Sequence, residues 1–165
     1  EHATLITPET ATIMARQGAI ACPTIAAYEA QIRDAAELKL DPAFVERLKF
    51  VRSKGPESLE IMRAAGVTLA YGTDVLGSMH KYQSEEFLIR AEALPAIEVI
   101  KSATLNAAEL LQMEGKVGTI APGAHADLIV VDKDPEKDLS VLGGQGRYMS
   151  AIMKGGVFYK DQLAA

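Results

Sequence analysis

The sequence holds a single cysteine, Cys22, and three histidines, His2, His80 and His125. One thiol excludes a disulfide framework and a thiolate metal cluster, and Cys22, set beside Ile20 and Ala21, reads as a small buried hydrophobe. There is no His-x-His, so no single spacing forms a metal motif on its own. A basic stripe is also missing: the formal charge is −5, which argues against a nucleic-acid partner and leaves a small molecule or peptide as the substrate class. The longest apolar run, Ala19 to Tyr28, is too short to cross a bilayer and is broken by Pro23. With no membrane partner and no signal-peptide pattern, the expected location is cytoplasmic.

What is present suffices for a core: 165 residues at 48% hydrophobic content fit one domain of ordinary size. The chain opens on Glu1-His2-Ala3, as if within an element, so it is expected to be a piece of a longer protein. Thr7-Pro8-Glu9 supplies an N-cap, a proline at the first helical position and an acid for the helix dipole, with Gly18 as the stop. Ala19 to Ile25 then reads as a buried strand whose end is marked by Pro23. A charged helical excursion follows from Ala26 to Lys54, restarted at Asp41-Pro42 and ended by Gly55-Pro56.

A helix from Glu57 to Ala65, stopped by Gly66, leads to a second buried strand, Val67 to Tyr71. This repeated helix–glycine–strand unit predicts an α/β fold with parallel strands. A loop is expected from Gly72 to Gln83, then helices over Ser84 to Glu92 and Pro95 to Gln112, the second interrupted near Thr104. Beyond Gly115 the texture turns to short apolar runs, including two around Gly155-Gly156 that read as a β-hairpin with a primed turn.

Hydrolytic chemistry needs groups gathered at the carboxyl ends of strands, where loops are exposed and the scaffold is rigid. Asp74 meets that condition, carried past the strand by Gly72-Thr73; the competing reading is a turn or N-cap aspartate. His2 precedes the first helix at a position equivalent to a strand end, and His80 lies in the loop after Asp74, close enough in sequence to share a pocket. His125 reads as surface structure.

Three motifs in order carry a resemblance. They are Tyr71-Gly72-Thr73-Asp74, the run Ser102-Ala103-Thr104-Leu105-Asn106-Ala107-Ala108-Glu109-Leu110-Leu111, and the run from Lys116-Val117-Gly118-Thr119-Ile120-Ala121-Pro122-Gly123 through His125-Ala126-Asp127 to Asp132. Together they resemble the C-terminal signature of the amidohydrolase superfamily. Glu1-His2-Ala3 with the following Thr-Pro-Glu helix and Ala-Cys-Pro-Thr resembles the imidazolonepropionase-like and prolidase-like branch.

The resemblance implies an α/β fold: the C-terminal portion of a (β/α)8 TIM-like barrel over 1–114, and over 115–165 a return to a small flanking β-sandwich. It implies a metal-dependent hydrolase of carbon–nitrogen bonds in amides, peptides or cyclic amides, with one or two divalent ions, zinc foremost, in the full-length parent. His2 matches the sixth-strand histidine ligand, and Asp74 the final-strand aspartate that ligates metal and moves the proton. Tyr28, after Pro-Thr, matches tyrosines of prolidase-like members and, with His80, is a candidate substrate contact. Asn106 and Thr104 read as caps or packing.

Strands that bear the remaining ligands are absent from these residues, and catalytic metal sites use three or more protein ligands. The expectation is that this chain alone is inactive and pairs with its missing N-terminal half or with itself, since a half-barrel exposes unpaired edges. The alternative is a non-catalytic structural or assembly fragment. A phospho-accepting signalling domain also keeps an aspartate at a strand end, but Ala26-Ala27 stands where its acidic pair is needed.

Overall fold

A computed structural model describes residues 1–163. Helix α1 (Pro8–Arg16) starts where Thr7 accepts the Thr10 N–H and Pro8 supplies its preset φ. Strand β1 (Ile20–Ala21) follows Gly18, and helices α2 (Ile25–Arg33) and α3 (Pro42–Ser53) form the charged excursion, with Asp41 capping α3 through the Ala43 and Phe44 amides. Helix α4 (Gly55–Ala65) ends on left-handed Gly66 and feeds β2 (Thr68–Leu69), which pairs parallel with β1.

The structure departs from the expected pattern at two places. Gly55-Pro56 opens α4 rather than merely ending α3, because proline is well placed in a first turn and a Cβ on Gly55 would lie 2.9 Å from Ile25 Cδ1. The segment expected to be a loop to Gln83 contains a 3₁₀ turn over Gly77–Glu85 that runs directly into α5 (Glu86–Arg90). Helices α6 (Ala96–Ala103) and α7 (Leu105–Leu110) are separated at Thr104, as the sequence indicates.

Both strands of the parallel pair have two residues, shorter than the apolar runs that contain them. The groups a longer ladder would use go elsewhere: the Leu69 carbonyl accepts Asn106 Nδ2 (2.9 Å), the Ala70 carbonyl accepts Arg90, and the Tyr71 N–H donates to the Ser102 carbonyl (2.9 Å). Strands β3 (Leu128–Val131), β4 (Met149–Lys154) and β5 (Val157–Asp161) make an antiparallel sheet in sequence order. Gly155 (φ 57°) and Gly156 (φ 79°) form the primed turn between β4 and β5.

The core gathers Ile25, Leu59, Met62 and Val99 around the parallel pair, each such side chain contributing about 1.5–3 kcal/mol on burial. It also includes Leu139, Val141 and Leu142 from a second 3₁₀ turn, so residues beyond Gly115 pack directly on the α/β part. No described helix is long and apolar enough to cross a membrane.

Candidate active site at the strand ends

The carboxyl ends of β1 and β2 bring His2 and Asp74 together. The His2 N–H donates to the Cys22 carbonyl just beyond β1 (3.2 Å), which ties His2 to the end of that strand. The His2 ring meets Thr24 Oγ1 through Nδ1 at 2.6 Å, and its Nε2 faces Asp74 Oδ2 at 3.9 Å. That separation exceeds a hydrogen bond. Both side chains are about half exposed, at 45% and 52%, so the pair opens to solvent rather than closing on itself as a buried ion pair.

Backbone strain marks the same place. His2 (φ 63°), Ala3 (φ 54°) and Asp74 (φ 51°) all lie in the left-handed region. A β-carbon there costs about 1–2 kcal/mol, which persists where surrounding structure over-determines the conformation. Asp74 is over-determined from both sides. Before it, Tyr71 is fixed by its bond to Ser102, by its hydroxyl on the Gln83 carbonyl (3.0 Å) and by Phe87 at 4.5 Å between ring centroids. After it, Val75 is buried in the core.

Gly72 is needed for closeness rather than for φ: a Cβ there would lie 2.4 Å from Cys22 Sγ and 3.4 Å from Thr24 Cγ2. Burial pushes the Cys22 thiol above its ordinary value, which keeps it neutral beside the pair. Burial likewise raises the Tyr71 phenol.

His80 and Tyr28 lie apart from this pair in their contacts. The His80 side chain is exposed on the 3₁₀ turn, and its carbonyl accepts Gln145 Nε2 at 2.9 Å. The Tyr28 hydroxyl accepts from Thr4 Oγ1 (3.4 Å) at a cavity of about 440 Å³ that Phe44, Arg47 and Leu48 also line. His125 is exposed, its N–H on the Lys116 carbonyl (2.8 Å). Thr104 Oγ1 donates to the Ile100 carbonyl, which agrees with a packing role for Thr104, as its strand bond does for Asn106.

Three participants escaped the sequence reading: Thr24, and the buried Glu86 and Arg90 under the strand ends. The signal for Thr24 was its place one residue past Pro23. For the other two it was an i, i+4 Glu–Arg spacing enclosing Phe87, Leu88 and Ile89, which puts charge within an apolar stretch.

The fit to a metal is partial. Two bonds of about 2.0–2.2 Å to one ion could span the His2–Asp74 gap, and Thr24 on Nδ1 is the kind of partner that orients a ligating imidazole. Among the described residues, however, no group of three His, Cys, Asp or Glu side chains converges on one metal-sized point. His2 and Asp74 by themselves are two side chains, short of the three protein ligands that catalytic ions use.

Comparison with known proteins gives a consistent picture. The profile of the Amidohydrolase family matches residues 1–157. A solved structure described as an amidohydrolase superposes with a TM-score of 0.93 at 42% identity, covering 98% of this chain and 39% of that one. A prolidase solved with N-methylphosphonate-L-proline superposes with a TM-score of 0.91 at 41% identity, covering 98% and 40%. A 5-methylthioadenosine/S-adenosylhomocysteine deaminase of Thermoanaerobacter pseudethanolicus is 27% identical over 133 residues, 71% of this chain and 31% of its own length. The chain therefore spans about a third of the length of that curated relative. The likeness gives an α/β fold of the TIM-barrel type.

Proposed function

Because the chain belongs to the amidohydrolase family, we propose that it forms part of a metal-dependent hydrolase of C–N bonds, with His2 and Asp74 as its share of the site. The convergence of His2 Nε2 and the Asp74 carboxylate at 3.9 Å carries this reading. In this reading residues 1–114 form the C-terminal part of the barrel and 115–165, of which Ala164 and Ala165 lie outside the described residues, return to the small β-sandwich. The substrate class is prolidase-like, a dipeptide or related amide. Likeness to the prolidase at 41% identity over 98% of the chain outweighs likeness to the deaminase at 27% over 71%.

A divalent ion, zinc foremost, would supply acidified water and polarise the scissile carbonyl. The protein's own residues do the remaining work. Thr24 on Nδ1 holds the His2 ring with Nε2 toward the site. Asp74, half exposed and fixed by its flanking residues, accepts the proton of the attacking water and passes it to the leaving nitrogen, which requires hydrogen-bond reach to both. Ligands outside these residues complete the metal shell, so this chain alone is inactive and functions with the rest of the protein.

The test is zinc content and dipeptide turnover of the complete protein, beside Asp74→Asn. Asparagine tolerates the left-handed backbone at 74, so the variant should fold normally while turnover falls by about 10²–10⁴-fold. Undiminished turnover in Asp74→Asn, or a complete protein that retains no metal, overturns the reading.

A second reading is a structural or assembly piece without catalysis, favoured for the chain by itself because no three ligands converge among the described residues. The exposed Val157 and Tyr159 on the edge strand β5 fit such pairing. Light scattering decides: a clean monomer of this chain at high concentration counts against it.

A further inference from the structure

Arg90 is wholly buried, and its nitrogens reach four partners. Nε donates to Glu86 Oε1 (2.9 Å), Nη1 to Ser102 Oγ (3.2 Å), and Nη2 to the carbonyls of Pro23 (2.7 Å) and Ala70 (2.9 Å). Glu86, equally buried, accepts the Ala26 N–H on its other oxygen at 2.6 Å. Stability alone is a poor account of such a pair, because apolar residues of like volume commonly serve as well or better. What an apolar residue cannot supply is a rigid fork that ties several carbonyls at once.

The positions of those carbonyls give the arrangement its meaning. Pro23 and Ala70 lie just past the carboxyl ends of β1 and β2. The residue after Pro23 is Thr24, whose hydroxyl meets His2 Nδ1. The residue after Ala70 begins the Tyr71–Asp74 run; the Tyr71 N–H donates to the backbone carbonyl of Ser102, and the Ser102 side-chain hydroxyl accepts from Arg90. One guanidinium thus fixes the roots of both arms of the site.

We infer that Arg90, held by Glu86, is a positioning residue that sets the separation of His2 and Asp74 by locking the two strand ends beneath them. It touches neither member of the pair and acts through Thr24 on one side and Tyr71 on the other. Lysine cannot replace it, since a single ammonium lacks the planar fork that spans both strand ends. The inference rests on the proposed function in taking His2 and Asp74 as the working groups.

The test is Arg90→Lys in the complete protein, read by amide hydrogen exchange and by the division of dipeptide kinetics between kcat and KM. In the variant, exchange over residues 22–26 and 70–75 should quicken by about ten-fold while α3 and β3–β5 keep wild-type rates. Turnover, kcat, should drop by about a hundred-fold with KM unchanged, as expected of misplaced rather than missing groups. Wild-type exchange in those two segments of the folded variant overturns the inference, as does uniform quickening across all segments. Should Arg90→Lys fail to fold, Ser102→Ala removes one partner of the guanidinium and is judged by the same pattern at smaller amplitude. A wild-type protein without dipeptide turnover would sink the proposed substrate, while the exchange pattern would still decide the role of Arg90.

Discussion

Gly72→Ala puts a methyl group where the structure has no space for one. The new Cβ would lie 2.4 Å from Cys22 Sγ, over 1 Å closer than the roughly 3.5–4.0 Å at which heavy atoms rest. Relief by movement is restricted: the Cys22 carbonyl is bonded to His2, and Thr24 Cγ2 closes the other side at 3.4 Å. Overpacking of this kind costs about 1–3 kcal/mol. At about 2–4 °C per kcal/mol for a domain of this size, Tm should drop by roughly 2–12 °C. Urea denaturation followed by circular dichroism on wild type, Gly72→Ala, Cys22→Ala and the double variant completes a cycle. Removing the sulfur makes space for the methyl, so the double variant should recover about 1 kcal/mol or more relative to additivity. A Gly72→Ala protein within about 0.5 kcal/mol of wild type, or a cycle without coupling, refutes the claim that this glycine is required by the sulfur beside it.

Thr24→Val keeps the buried shape but removes the hydroxyl on His2 Nδ1; zinc affinity of the complete protein, measured by chelator competition, should weaken by about 10–100-fold, and unchanged affinity would exclude an orienting role. Burial pushes the Glu86 carboxyl up to about 7 against the pull of Arg90 and the Ala26 N–H. An acid raised on folding contributes stability that is full below its ordinary 4.5 and is lost as pH rises through about 7. Wild type should therefore lose stability across that window relative to Glu86→Gln, and parallel pH profiles of the two would contradict it. Gly155→Asn suits the first central position of a primed turn, with φ 57° and open space around its Cβ. It should stabilise by about 0.5 kcal/mol in thermal denaturation, and a lower Tm would show that this turn is not the tight primed form.

Local signals in the sequence were strong where a few neighbouring residues decide the backbone. Thr7-Pro8 starts α1, Asp41-Pro42 starts α3, Gly66 ends α4 and Gly155-Gly156 turns the hairpin, each by the chemistry that identifies it in the sequence. The short parallel strands were less legible, because their lengths are set by Asn106, Ser102 and Arg90, residues 20 to 37 positions away in the bonds that replace the ladder. Asp74 stood out through its place after an apolar run, yet nothing local announced that His2, far off in sequence, would face it. Glu86 and Arg90 were hidden for a related reason. An acid and a base four apart on a helix ordinarily lie on the solvent side, and only the packing of Pro23, Ala26, Ala70 and Ser102 around them makes them interior.

The apolar core beneath the strand ends is closed by Leu139, Val141 and Leu142, and Ser84 is bonded to Gly143 and Gln145 next to them. A growing chain leaves the ribosome in sequence order. Arg90 and its partners are therefore all translated before the turn that carries Leu139, Val141 and Leu142. Between Ser102, the last of those partners, and Leu139 lie 36 residues, so the polar lattice under the strand ends is complete in sequence before the apolar turn that packs on the same core has been made.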